Sequence, residues 1–336
     1  MKPATLVALI AAALAAEAQS AKAADPIQLK YGNAGTPGGI SYVIAVEHFA
    51  AAVNKDSDGT VEVKLYPGPS LASHTNVIDR LQNDVAQIGF GAIGLYPQLF
   101  PKTTVAMLPF ESRNGVEATM ALWRLYAQGA FGDELAGWKV LALPVYANMS
   151  VHTRKPVATM ADLKGQKIAN QSRTMAEVLD KLGATPISMP PVEFHQSLMR
   201  GVVDGVGTGW PAFPPFKLQE VTSYHVQTSL AAEGVFVFMT KDSYAKLPDK
   251  GKAAIDRHGG EEFSAAWGKS VQAMDDAGIA MAKAANQPIV TLAPDEEARW
   301  KDRAQAVVDA WVQATPDGAK VLAAYRAEVG KLRDGK

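Results

Sequence analysis

Glycines 89, 91 and 94 in the stretch VAQIGFGAIG have the G-x-G-x-x-G spacing that lets backbone approach a dinucleotide pyrophosphate. An apolar, strand-like run leads into them. Glu111 stands roughly 20 residues on, near where an acidic ribose ligand belongs. That chemistry needs a helix opening at the last glycine, with its N–H groups facing the phosphates. Here LYPQLFPKT follows, and Pro97 and Pro101 limit any helix to about one or two turns. An exported oxidoreductase is therefore disfavoured, and no cofactor is expected. The glycines are expected to end a strand and let backbone line a cleft, with Gly89 and Gly91 nearest a ligand.

Other reactive patterns are sparse. The chain has no G-x-S-x-G elbow, no H-E-x-x-H, no Walker A loop and no cysteine, and its six histidines lack metal-ligand spacing. His195 beside Glu193 reads as a surface helix pair. Asp275 and Asp276 adjoin on a predicted helix, where neighbours do not face each other, so a solvated face is expected. No catalytic residues and no metal site are assigned, and the chain is read as a non-enzyme.

The elements that would position a site are those of a two-domain α/β protein. The length of 336 residues suggests about two domains. The composition, 48% hydrophobic and 20% charged, suits a globular core, and a formal net charge of -1 gives no reason to expect nucleic acid as partner. Residues 27–94 read β-α-β-α-β, and the order recurs after about residue 138, which favours a parallel sheet with helices on both faces. The last hundred residues read as three helices, one of them long. No Ser/Gly linker separates the halves, so the chain is expected to cross between two lobes more than once, with a ligand cleft between them.

The N-terminus carries an address. In MKPATLVALIAAALAAEAQSAKA a basic start precedes an apolar run and an Ala-Lys-Ala cleavage site. Residues 1–23 are read as a cleavable signal peptide, with the mature chain starting near Ala24 or Asp25. The apolar run is shorter than the 20 or so residues that a membrane span needs. A periplasmic, monomeric protein is expected.

One stretch is recognisable. MADLKGQKIANQSRTMAEVLDKLGATPISMPPVEFHQSLMRGVVDG, residues 160–205, resembles the central segment of the dicarboxylate-receptor (DctP) type of solute receptor in tripartite ATP-independent periplasmic (TRAP) transporters. The matching pieces are Asp162 to Gly165, Lys167-Ile168, Leu182 to Ala184, Pro186, Met189-Pro190, Glu193, Leu198 and Gly201 to Asp204-Gly205. FAAAVNKDSDGTVEVKLYPGPSL, LQNDVAQIGFGAIG and Leu108 to Phe110 extend the resemblance over most of the mature chain. It implies a two-lobed periplasmic binding protein fold, type II-like, with a hinge and a long helix spanning both lobes. Lobe I would hold residues 24–147 plus about 235–265, and lobe II residues 148–234 plus about 266–330. It further implies capture of a small organic solute and delivery to a TRAP permease driven by an ion gradient, without catalysis. A sensor subunit presenting the solute to a membrane histidine kinase would share the fold.

The residues depart from the family where it binds its ligand. The resemblance implies an arginine after Lys-Ile that pairs with the solute carboxylate, and this chain has Ala169. A second family arginine falls where Asn148 and Met149 stand, and a family asparagine corresponds to Thr208. Two readings remain. Arg173 replaces the clamp for an organic acid, or a neutral or aromatic solute is held by Asn148, Asn170, Gln171 and Thr208. Trp210, directly after a glycine-rich strand end, is the leading aromatic candidate, followed by Phe213, Phe236, Tyr146 and Tyr42. Asn33, Gly91 and His74 complete the expected site.

Overall fold

The structure, a computed structural model, describes residues 25–35 and 40–335. The expected export segment lies outside the described residues. The first strand, β1 (Ile27–Asn33), runs parallel to β2 (Val61–Pro67) and to β3 (Ile88–Ala92). β3 is buried along its whole length, as a central strand should be. β4 (Trp138–Ala142) completes this half by pairing antiparallel with β9 (Tyr224–Thr240). In the other half, β5 (Val145–Thr153) pairs antiparallel with β8 (Gly205–Thr208) and β9, and β6 (Lys167–Asn170) runs parallel to β7 (Thr185–Ser188) and β8. A short β10 (Ile289–Thr291) adds to the start of β9. The sheet is thus mixed, in the order β2-β1-β3-β9-β5-β8-β6-β7.

β9 makes the molecule two-lobed. Its first part, Tyr224–Gly234, pairs with β5, and its last part, Val235–Thr240, pairs with β3 and β4. A 17-residue strand shared by both half-sheets replaces a linker.

Six helical segments carry the rest of the argument. α1 (40–56) contains a π-helical stretch, Ala45–Ala50. α2 (Val77–Gln82) backs β3, and α3 (Gly115–Ala127) is capped by Asn114, whose Oδ1 accepts from the Glu117 N–H at 2.8 Å. α4 (Arg173–Lys181) follows β6. The 24-residue α5 (Glu261–Ala284) is about 36 Å long at 1.5 Å per residue. Its Phe263, Trp267 and Val271 pack with Tyr31, Phe49 and Phe90 of the first lobe, while Ala282 joins Phe194, Trp210 and Phe213 of the second. α6 (Pro294–Ala314) also touches both: Trp300, Ala304 and Val307 pack into the second lobe and Val308 into the first.

The final helix, α7 (Gly318–Arg333), packs Val321, Leu322, Tyr325 and Val329 into the core that α3 shares, and Arg333 makes a two-pronged ion pair with Glu117. It packs with the first lobe, whereas the bounds implied by the resemblance put residues to about 330 with the second. Among the described residues no helix is long and apolar enough to cross a membrane.

Candidate functional site

A cleft of about 790 Å³ lies where the two half-sheets meet. One wall is the end of β3 at Ala92 and the segment after it, including Gly94, Leu95, Pro97 and Met107; the facing wall is Gln171 to Thr174 with Glu177. Trp311 and Ala314 of α6 close a third side, and Glu233 of β9 lies between them. The first wall is irregular for the reason read from the prolines. After β3 the chain makes only a three-residue 3-10 turn, Ile93–Leu95, so no helix N-terminus faces the glycines. The opposite wall is a helix start. Ser172 caps α4 by accepting from the Met175 N–H at 3.4 Å, and Arg173 donates to Glu177 one turn on at 2.8 Å.

The charges here are unusual. Glu233 has no ion-pair partner among the described residues; burial pushes its carboxyl above the ordinary range, opposed by the Gln171 amide. Across the β5–β9 pairing stands Tyr146, whose phenol is raised by burial, with the Trp267 indole opposing and the Glu233 charge adding. Tyr31 is fully buried and raised by burial, then by Tyr146. Trp267 stacks on Phe90 at 5.4 Å, and Phe90 meets His74 edge-on at 5.3 Å. Burial holds His74 below its ordinary value.

Asp275 corrects an expectation. It is 5% exposed, not solvated, and only Asp276 faces water. Trp267, Val271, Asp275 and Gly278 share the buried face of α5. At Gly278 a Cβ would lie 2.4 Å from the Trp210 carbonyl oxygen, so α5 presses directly on that residue. Burial, then the Asp276 charge, push the Asp275 carboxyl up to about 7, and its Oδ1 has no hydrogen-bond partner.

The residues singled out from sequence are distributed as follows. Gln171 and Arg173 line the cleft. Tyr146 abuts it through Glu233, and Asn170, fully buried, precedes Gln171 with neither amide atom hydrogen-bonded. Asn148 bridges segments, donating to the Ser112 carbonyl at 3.1 Å. Asn33 is spent locally: its Nδ2 donates to Ser41 O at 2.9 Å and its Oδ1 accepts from the Gly35 N–H at 2.9 Å.

Trp210 and Phe213 are buried in a second aromatic cluster, 4.7 and 4.8 Å from the His152 ring. The Thr208 carbonyl faces His152 Nε2 at 3.2 Å in the same cluster. Phe236 is fully buried in the first-lobe core, stacked on Phe238 at 4.3 Å. Gly91 has a packing cause: a Cβ there would lie 2.4 Å from Phe236 Cζ and 2.7 Å from Val77 of α2. Gly89 likewise meets Val77, and of the three glycines it is Gly94 that lines the cleft. Tyr42 is half-buried outside the cleft lining.

Sequence reasoning passed over Glu233, Trp267 and Trp311 and put Asp275 on the wrong face of its helix. For Asp275 a signal existed. It shares the 4-4-3 spacing of Trp267, Val271 and Gly278, the spacing of one helix face.

The profile of the bacterial extracellular solute-binding proteins, family 7 (DctP), matches residues 34–314. The C4-dicarboxylate-binding periplasmic protein DctP of Rhodobacter capsulatus is 27% identical over 318 residues, covering 90% of this chain and 91% of that one. A TRAP periplasmic solute-binding protein of Desulfovibrio salexigens superposes with a TM-score of 0.84 at 27% identity, covering 92% of this chain and 97% of its own. A TRAP solute-binding protein of Rhodoferax ferrireducens, crystallised with copurified benzoate, gives 0.80 at 29% identity, covering 91% and 98%.

Proposed function

Because the chain belongs to family 7 of the bacterial extracellular solute-binding proteins, we propose that it captures one small organic solute between its lobes and hands it to the membrane permease of a TRAP transporter. It is a solute-binding receptor of the TRAP type, as its fold and family are. Family members are receptors rather than enzymes and work outside the cytoplasmic membrane. For this chain we infer export through residues 1–23 and action as a monomer.

The observation that carries the reading is the cleft itself. It lies where β9 passes from one half-sheet to the other, and its walls come from both. A ligand that touches both walls favours the closed arrangement, because closure can be driven only by differential contact with the two states. We place Gln171, Arg173 and Glu233 in contact with the solute, with Asn170 and Tyr146 behind them. The lobes are best drawn as residues 25–143, 235–260 and 318–333 for the first, and 144–234 with 285–307 for the second, α5 bridging.

A thermal-shift screen of several hundred metabolites against the mature chain tests the proposal. A true solute at 100 times its Kd adds about 2.7 kcal/mol of stability. Failure of every compound to raise the melting temperature would count against a receptor role.

A further inference from the structure

This inference rests on the receptor reading and concerns the chemistry of its solute. Relatives accept organic acids, and an acid calls for a cation in the cleft. Among the described residues lining the cleft, Arg173 is the only cation, and it is committed to Glu177 at 2.8 Å with its side chain 84% exposed at the rim. Further in stands Glu233, without a cation of its own. Its neighbours are the Tyr146 phenol and the Gln171 amide, one polar group each. The interlobe helix carries a second carboxyl without a partner at its Oδ1, Asp275, on the face where Gly278 presses on the Trp210 backbone. Where the resemblance implies an arginine, Ala169 is fully buried among Val206, Trp210 and Phe213.

Buried polar atoms without partners are rare and call for a reason. Both amide atoms of Asn170, next to Gln171 of the cleft wall, are such atoms, and the Tyr31 Oη and Trp210 Nε1 are two more elsewhere in the lobes, all on residues at most 3% exposed. Tyr146, opposite Glu233, neighbours Tyr31 and Trp267, and Trp267 stacks on Phe90. Carboxylates, carbonyl oxygens and aromatic faces all attract a cation, and a bare carboxylate repels an acid. An ammonium brings three donors and no acceptor, which suits the Glu233 carboxylate; the unpartnered Asn170 Nδ2 and Trp210 Nε1 are themselves donors and do not bear on it.

We propose that the solute presents a positively charged nitrogen, an ammonium alone or within a zwitterion, to the carboxylate of Glu233. In a zwitterion, the acid end would face the rim, where Arg173 stands. The cleft then selects against simple dicarboxylates and for amine-bearing compounds.

The test uses the mature chain at about pH 7.5 with two panels followed by thermal shift and calorimetry. Benzylamine, phenylalanine and glycine betaine carry the cation; benzoate, phenylacetate and succinate do not. Binding is expected from the first panel, weakened about 30-fold or more by Glu233→Gln, while the variant melts no lower than the parent without solute. Binding by the acids with Glu233→Gln neutral or improving overturns the inference and leaves the receptor role standing. So does binding of the amines that the variant does not weaken. Silence from both panels and from the broad metabolite screen overturns the receptor reading and this inference with it.

Discussion

Replacing Asp275 by asparagine should stabilise the solute-free protein at alkaline pH and destabilise it by about 1–2 kcal/mol in acid. Asp275 is 5% exposed, its Oδ1 has no partner, and burial with the Asp276 charge pushes its carboxyl up to about 7. In the unfolded chain the same carboxyl titrates near 3.9. A raised folded value means that the native state favours the protonated form. The associated stability is fully present below about pH 4 and is lost as pH rises through about 7. At about 1.4 kcal/mol per tenfold change, the full cost above that pH is about 4 kcal/mol. The amide escapes that cost but leaves unmade hydrogen bonds worth about 1–2 kcal/mol. The net gain is then about 2–3 kcal/mol at pH 8.5, or about 3–5 °C in melting temperature for a chain this size. Melting curves of both proteins at pH 4.5, 6, 7 and 8.5, at constant ionic strength, measure it. The same difference at pH 4.5 and 8.5, or a less stable variant at 8.5, would refute the argument.

Three further outcomes follow from single contacts. Gly91→Ala drives a Cβ to 2.4 Å from Phe236 and 2.7 Å from Val77, and overpacking of this kind should cost about 1–3 kcal/mol by denaturant melt. Arg333→Ala leaves Glu117, 8% exposed, without its two-pronged partner and should cost about 3 kcal/mol; a loss under about 0.5 kcal/mol would show that α7 is held by packing alone. Ala169→Arg should destabilise the protein by several kcal/mol and should not confer benzoate binding, because the site is fully buried in an apolar cluster with Val206 and Phe213. A folded variant that binds benzoate, read by calorimetry, would contradict this.

Much of the fold was legible because period and breakers speak locally. The alternation in residues 27–33 and 61–67, the proline stop after Gly94 and the three C-terminal helices all correspond to elements found. β9 was legible only in its apolar half, from Gly234 onward. Its first ten residues, YHVQTSLAAE, form a strand because β5 and β10 pair with them, a cause that no local pattern carries. The glycine spacing misleads for a related reason. Gly89 and Gly91 are small so that α2 and Phe236 can pack on the strand, and helix-on-strand packing and phosphate binding ask for the same residue. Glu233 follows Ala231 and Ala232 in a strand that reads as a loop, so nothing marks it as a wall of the cleft.

The placement of uncompensated carboxyls also bears on closure. Burial already penalises the Glu233 charge, raising its carboxyl above the ordinary range. Closing over it without a partner removes the water that remains, and a buried charge left alone is among the most expensive groups a protein can hold. The empty receptor therefore resists closing, an acid solute increases the resistance, and a cationic solute removes it. Moving a two-state equilibrium from 1:99 to 99:1 needs about 5.5 kcal/mol of differential affinity, and a desolvated ion pair supplies a large share of that only in the closed form. A receptor with an arginine clamp discriminates by attraction to the carboxylate. This one, with Ala169 in the core and Glu233 in the cleft, discriminates through what closure would cost in the absence of the right charge.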